Sequence, residues 1–364
     1  MKIALTYSSK EGLQKEYSRR YRRQEENGDI PVDFFAEGDS PETIGAIRDS
    51  LRNFGHEVQG FEADDDVGPA LTSYDPELVF NVAEGLFGDF RESYIPMVCE
   101  KLGLAYTGSD PLTLAVCLNK ARTKEILTYH GIPNALFRVY YPGEPVNVNG
   151  FSFPAIVKPV AEGSSKGIFN DSVVKNVKEA EERITYKLAR YEQPILIEQF
   201  LEGDEFTIAV WGNEKGLEVL PIVAIAYDEL PDGAMPIYSY EAKWIWDTPE
   251  KPLRIFECPA RIPPKLRVEL EDLAMRTFRI LGIRDWCRID VRLDGRGVPH
   301  VLEVNPLPGI LPNPEDNSCF PKAARTSGYG YAEMLGRVVS IASARLGLIH
   351  ETVCEEIANT CRLQ

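Results

Sequence analysis

Apolar and polar positions along the first 110 residues fall into short alternating blocks. Lys2 to Tyr7 is a compact apolar run, read as a buried strand. Ser40-Pro41-Glu42 places a capping residue, a proline and an acid in the order that opens a helix. Ile44, Ile47, Leu51 and Phe54 then recur with helical spacing until Gly55. Val58–Phe61 and Leu78–Val82 read as strands, Ile95–Leu102 as a helix and Leu104–Thr107 as a short strand. Strand and helix alternate, so a Rossmann-like parallel sheet is expected over residues 1–115. Residues 8–39 interrupt the pattern. They are highly charged, carry Arg19, Arg20, Arg22 and Arg23, and hold no apolar period, so they are read as a surface arm, with a lid or oligomer contact as the alternative.

The texture then changes. Residues 111–131 read as one helix, followed by strands Ala155–Lys158, Ile195–Glu198 and Phe206–Trp211, with a helix near 176–190 between them. Residues 217–225 form a further strand candidate. Leu266, Leu270, Leu273 and Leu281 mark one face of a helix over 264–282. Strands 285–293 and 298–304 meet across Asp294-Gly295-Arg296-Gly297, a hairpin signal, and a helix at 331–347 follows.

Charge and composition remove several function classes. Lys plus Arg total 40 against 56 Asp plus Glu, a formal charge of −16 over 364 residues. Such acidity disfavours nucleic acid and anionic membrane surfaces as partners. No run approaches the ~18 apolar residues of a membrane span. The opening apolar run is too short for a signal-peptide core. The seven cysteines are scattered without a Cys-x-x-Cys pair, as expected for reduced thiols in a cytoplasmic protein. Four isolated histidines support neither a zinc site nor a histidine-based triad.

Three segments carry chemistry. In Arg288-Ile289-Asp290 and Glu303-Val304-Asn305, residues two apart share a strand face. Paired strands would therefore bring Asp290, Glu303 and Asn305 oxygens together, a hard donor set suited to Mg²⁺. Lys158 ends an apolar strand, and Ala161-Glu162-Gly163-Ser164-Ser165-Lys166-Gly167 follows as a small, hydroxylated turn able to meet phosphate. It is not a Walker-type loop, and no Gly-x-Gly-x-x-Gly follows the first strand, which weakens a nicotinamide-dependent oxidoreductase reading. Finally, Ile195–Glu198 ends in a carboxylate that would accept from an adenine amino group, and Glu205 would take ribose hydroxyls.

Together the segments resemble the D-alanine–D-alanine ligase family of the ATP-grasp superfamily. The resemblance runs from about residue 75 to 345. It covers Tyr106-Thr107-Gly108-Ser109, Asn119-Lys120, Ile156–Pro159, Glu162–Ser165, Glu198–Leu201, Glu205–Thr207, Tyr240–Lys243, Arg288–Val291 and Glu303–Asn305 leading to Pro308-Gly309. It implies an α/β chain, α+β in its ATP-grasp part, with a central subdomain at 116–206, a C-terminal one at 207–364, and ATP between two sheets. By the resemblance, Lys120 and Lys158 contact phosphates, with Glu162, Ser164 and Ser165 beside them. Glu198, Gln199 and Leu201 hold adenine, and Glu205 the ribose. Asp290, Glu303 and Asn305 hold two Mg²⁺ ions, for which Mn²⁺ could substitute. Lys243 sits on the loop that closes over the γ-phosphate, Ser164 is counted with the catalytic residues, and Arg288 with the Gly309 N–H stabilises an oxyanion. The implied partners are small carboxylates and amines, and the family tends to dimerise.

The chain departs from the family pattern on the substrate side. The usual His-Gly-x-x-Gly-Glu-Asp-Gly stretch is Asn81–Glu92, with Glu84 in it and no histidine. Arg91 is read as an anchor for a substrate carboxylate, a surface ion pair with Glu92 or Asp89 being the alternative. The N-terminal Ser-x-Glu element is not recognisable near Ser8–Leu13. Trp244 follows Lys243 where tyrosine is usual, and Ile310–Ser318, with Pro314 and Glu315, replaces Met-Thr-x-His-Ser-Leu. Amide-bond formation on substrates other than two D-alanines is the expectation. A true D-alanine–D-alanine ligase and a non-catalytic ATP-binding sensor are the alternatives.

Overall fold

The computed structural model describes residues 1–21, 30–213, 216–248 and 251–348. Arg22, Arg23, His350, Cys354 and Cys361 lie outside the described residues. Three sheets organise the chain. The first is parallel, in the order β2-β1-β3, from β1 (Lys2–Tyr7), β2 (Glu57–Glu62) and β3 (Leu78–Asn81). Residues 104–107 extend it only by a single bridge between Val79 and Tyr106. The second is antiparallel, in the order β4-β7-β5-β6, from β4 (Phe137–Tyr140), β5 (Ala155–Pro159), β6 (Val173–Val174) and β7 (Ile195–Gln199). The third contains β8 (Glu205–Gly212), β9 (Glu218–Val219), β10 (Val223–Ile225), β11 (Phe256–Glu257), β12 (Asp285–Leu293) and β13 (Pro299–Asn305). Its order is β11-β10-β8-β12-β13, with β9 on β8.

The predicted helices form because their starts are capped and one face of each is apolar. Ser40 accepts from Thr43 N at the head of Pro41–Asn53, and Ile47 and Leu51 are fully buried there. Asn176 caps Val177–Tyr191 in the same way. The long helix Pro264–Ile280 buries Leu270, Leu273 and Phe278. Each such side chain is worth roughly 1.5–3 kcal/mol when taken from water. Helix Tyr331–Leu346 returns to the start of the chain: Met334, Leu335 and Val338 share one core with Ile3, Leu5, Trp211 and Trp286. The first and third sheets are thereby one packed body.

Two expectations change. The helix over 111–131 is two helices, Pro111–Leu118 and Lys120–Tyr129. Asn119 ends one and caps the next, accepting from Arg122 N, and this turn lets Lys120 point into the interior, 4% exposed. The arm at 8–39 is not merely a charged surface. Lys10–Arg20 is a helix capped by Ser9, and Asp33 and Glu37 are 0% and 6% exposed. Tyr17, Phe34, Phe35 and Phe87 pack edge and face around it, an aromatic cluster with no helical or strand period.

Candidate active site

The second and third sheets face each other across a cleft of about 300 Å³. One end is apolar, lined by Ile156, Phe200, Leu201, Ile237 and Leu302, with Gln199 and Glu205 at its edge. The other end is polar and holds Lys243, Arg288, Glu303 and Gly309. An apolar stretch of cleft beside fixed charges suits a ligand with an aromatic base and an ionic tail.

The hairpin of β12 and β13 sets the acidic pair. Asp290 lies opposite Glu303, and Arg288 opposite Asn305. Asp290 accepts from Thr207 at 2.7 Å, from Arg288 at 3.0 Å and from Asn305 at 3.3 Å. Burial and the neighbouring Glu303 charge push the Asp290 carboxyl up. A divalent cation would relieve both costs, and two carboxylates with an amide oxygen are a donor set that fits Mg²⁺ once phosphate oxygens complete it. Among the described residues no cluster of three or more His, Cys, Asp and Glu offers a self-sufficient metal cage. Arg288 Nε is buried without a hydrogen-bond partner among the described residues, a donor left over on the cleft wall.

Cations gather on the same cleft. Lys120 Nζ lies 2.9 Å from Glu303 and also donates to the Glu162 carbonyl. Glu198 is bracketed by Lys124 at 2.7 Å and Lys158 at 2.5 Å. Burial pushes its pKa up, but the two ammoniums outweigh burial and hold it at about 2. Glu303 is likewise held down: burial opposes Lys120 and Lys158, and the lysines win. Lys243 reaches Ser164 Oγ at 3.3 Å, and the Trp244 indole N–H donates to the Ser164 carbonyl at 3.1 Å. Lys243 and Trp244 stand on a π-helical turn, Ala242–Trp246.

The turn at 161–167 is strained. Ser164 and Ser165 are consecutive non-glycine residues with φ of 49° and 61°. Such conformations cost about 1–3 kcal/mol each and persist only when their surroundings enforce them. Gly167, at φ +72°, could not carry a side chain, because a Cβ would stand 2.4 Å from Pro159.

The cleft also has an acidic wall, on the side where the substrate residues are expected. Asp39 and Glu84 line the cleft, and Glu84 and Glu92 line its polar end. Burial, with Glu62 adding to it, lifts Asp39 to about 7. Burial lifts Glu92 to about 7 and Glu84 well above the carboxylate range, with Glu37 raising both. Two expectations for this side are corrected. Arg91 is neither on the surface nor free. It is 7% exposed, pairs with Glu37 at 2.8 Å and Glu162 at 3.5 Å, and donates to the Ala161 carbonyl. Pro314 and Glu315 are exposed and absent from the cleft lining, because Asn313 turns the loop outward by accepting from Glu315 N. Asn317, Ser318 and Cys319 line it instead, with Ser318 bonded to Gly309 O and Leu311 N.

Residues that sequence reasoning missed are the partners of those it found. Lys124 lies four after Lys120 on one helix, and Arg292 lies two after Asp290 on one strand face. Arg292 is buried and holds Glu205 at 2.9 Å. Asp33, Glu37 and Lys166 gave no periodic signal.

The family model described as D-ala D-ala ligase C-terminus matches residues 144–340. The chain belongs to the D-alanine–D-alanine ligase family. These enzymes are ATP-dependent ligases of the ATP-grasp fold. Relatives include the D-alanine–D-alanine ligase of Desulforudis audaxviator, 31% identical over 304 residues, covering 82% of this chain and 92% of that protein. The uncharacterized protein y4sG of Sinorhizobium fredii is 32% identical over 314 residues, covering 83% of this chain and 88% of that protein. The crystal structure of the Bacillus anthracis D-alanine–D-alanine ligase complexed with ATP shares the fold, with a TM-score of 0.67 at 19% identity, covering 94% and 97% of the two chains. Among the described residues no helix is long and apolar enough to cross a membrane.

Proposed function

We propose that the protein joins a small carboxylic acid to an amine, with ATP cleaved to ADP and phosphate, on substrates other than two D-alanines. The observation that carries the reading is the division of one cleft. It gathers Lys120, Lys158, Lys243, Arg288, Asp290 and Glu303 beside a wall that carries Asp39, Glu84 and Glu92.

The adenine would lie between Ile156, Phe200, Leu201 and Leu302, with Glu198 and Gln199 at its edge and Glu205 near the ribose. Lys120 and Lys158 would offset charge on the phosphates, and Ser164 and Ser165 would meet phosphate oxygens. Asp290, Glu303 and Asn305 would hold Mg²⁺, which when bound neutralises charge on the transferring phosphoryl group. The substrate carboxylate oxygen attacks the γ-phosphorus and ADP leaves, giving an acyl phosphate. The amine nitrogen then attacks the acyl carbon, the C–O bond to phosphate breaks, and a proton leaves the nitrogen. Arg288 and the Gly309 N–H would stabilise the oxyanion between these events, and Lys243 with Trp244 would cover the intermediate against water.

The acidic substrate wall supports an amine or a second substrate bearing positive charge. Ser318 has its hydroxyl committed to Gly309 and Leu311, so a free carboxylate finds no ready donor there. The names of the relatives favour a second reading, a true D-alanine–D-alanine ligase. A screen for ADP release with Mg²⁺ across panels of carboxylic acids and amines decides between them. Turnover on D-alanine alone would overturn the proposal.

A further inference from the structure

Asp33 and Glu37 come from the arm, yet both end on the strained 161–167 turn. Asp33 Oδ2 accepts from Gly167 N at 2.6 Å and from the Tyr191 hydroxyl at 2.9 Å. Glu37 Oε1 accepts from Gly163 N at 2.8 Å and from Arg91 at 2.8 Å, and its Oε2 takes Lys166 at 3.1 Å. Lys166 also holds Glu162 at 2.7 Å. Two carboxylates and two cations thus form a closed, neutral, buried quartet beneath the turn. Burial alone would raise the Glu37 carboxyl, but Arg91 and Lys166 hold it at about 2, so it stays ionised.

The two left-handed serines lie between the two gripped glycines. Gly163 precedes Ser164, and Gly167 ends the turn. A turn fixed at both ends by charge-assisted bonds to a distant segment cannot relax by rotating Ser164 or Ser165. The same segment contributes Ala36, Glu37, Gly38 and Asp39 to the cleft wall.

We propose that residues 33–37 are a strap that sets the geometry of the 161–167 turn toward nucleotide phosphates, with Asp33 and Glu37 as positioning residues. The proposal rests on reading the cleft as the ATP site. The strap holds Ser164 and Ser165 in place before nucleotide arrives, so that no binding energy is spent on ordering them.

The test joins two readouts on the full chain. Amide hydrogen exchange without nucleotide reports whether Gly163 and Gly167 are held. Binding of a non-hydrolysable ATP analogue with Mg²⁺, followed by calorimetry, reports phosphate recognition. Glu37→Ala and Asp33→Ala are expected to lose protection at Gly163 and Gly167 respectively and to weaken analogue binding about tenfold or more, by analogy with the cost of misplaced positioning groups. Asp33→Asn keeps an acceptor for Gly167 and should restore most of both. Should the alanine variants fail to fold, Glu37→Gln decides: it keeps an acceptor but loses the ion pairs, and a several-fold weakening is expected. Unchanged protection in the variants, or lost protection with unchanged analogue binding, would overturn the strap. Wild-type protein that binds no analogue while its turn is protected would instead overturn the ATP-site reading, and the proposal with it.

Discussion

The cleft holds two kinds of buried acid, those with a cation in contact and those without. At the nucleotide end each acid has a cation in contact: Glu198 with Lys124 and Lys158, Glu303 with Lys120, Glu205 with Arg292. Asp39, Glu84 and Glu92, by contrast, have no ion-pair partner among the described residues, and all three are pushed up. The lysines hold Glu198 and Glu303 below the ordinary carboxylate range, whereas burial still pushes Glu205 and Asp290 up against their arginine partners. An unpaired buried acid is left raised and able to gain from a cation, which under the proposed function would be the substrate's.

The largest effect should come from the acid that joins the two ends. Glu303→Gln is expected to lower ADP release about 10³-fold, the scale of a lost transition-state charge partner, with an unchanged far-UV circular dichroism spectrum. Activity close to wild type would remove Glu303 from the metal set. Next, Lys124→Met leaves Glu198 with a single cation and should cost about 3 kcal/mol of stability, read as a lowered urea midpoint. The fully buried position of Lys124 makes this a structural effect before it is a catalytic one.

The pH dependence sharpens the contrast further. Glu37 and Glu198 have folded values near 2, below the ordinary carboxylate range. Their contribution to stability is present above about 4.3 and is lost as pH falls toward 2. Asp39 and Glu92 have folded values near 7, so their contribution is present below about 4 and is lost as pH rises through 7. Thermal stability should therefore decline from pH 5 to pH 8, and Asp39→Asn should flatten the decline. Analogue binding should vary little between pH 5 and pH 8, whereas a cationic substrate should bind better as pH rises through 7. The smallest effect is expected at Glu315. It is exposed and outside the cleft, so Glu315→Ala should change stability by less than about 0.5 kcal/mol and leave every KM unchanged.

Much of this architecture was legible in the chain because its signals are local. The 285–304 hairpin shows its period, its turn and its aligned acids in twenty residues. The capped helices at 41 and 177 announce their own starts. What stayed hidden depends on long-range satisfaction of polar groups. Nothing near Asp33 or Glu37 shows that Gly163 and Gly167, more than 120 residues away, will donate to them. A charged segment without apolar period looks solvated until its partners are known. Arg91 is hidden in the same way: its ion-pair partners are the distant Glu37 and Glu162, not its sequence neighbours Asp89 and Glu92. The break at Asn119 was visible only as a capping residue inside an otherwise helical pattern.

The central claim is that an intact ATP-dependent ligase site serves a substrate pair other than two D-alanines. Its most direct test is ADP release by the full chain with Mg²⁺ and ATP, offering D-alanine alone beside a panel of carboxylic acids and cationic amines. The account predicts ADP formation only with a particular acid and amine from the panel, and background rates with D-alanine. Rapid turnover on D-alanine alone would contradict it.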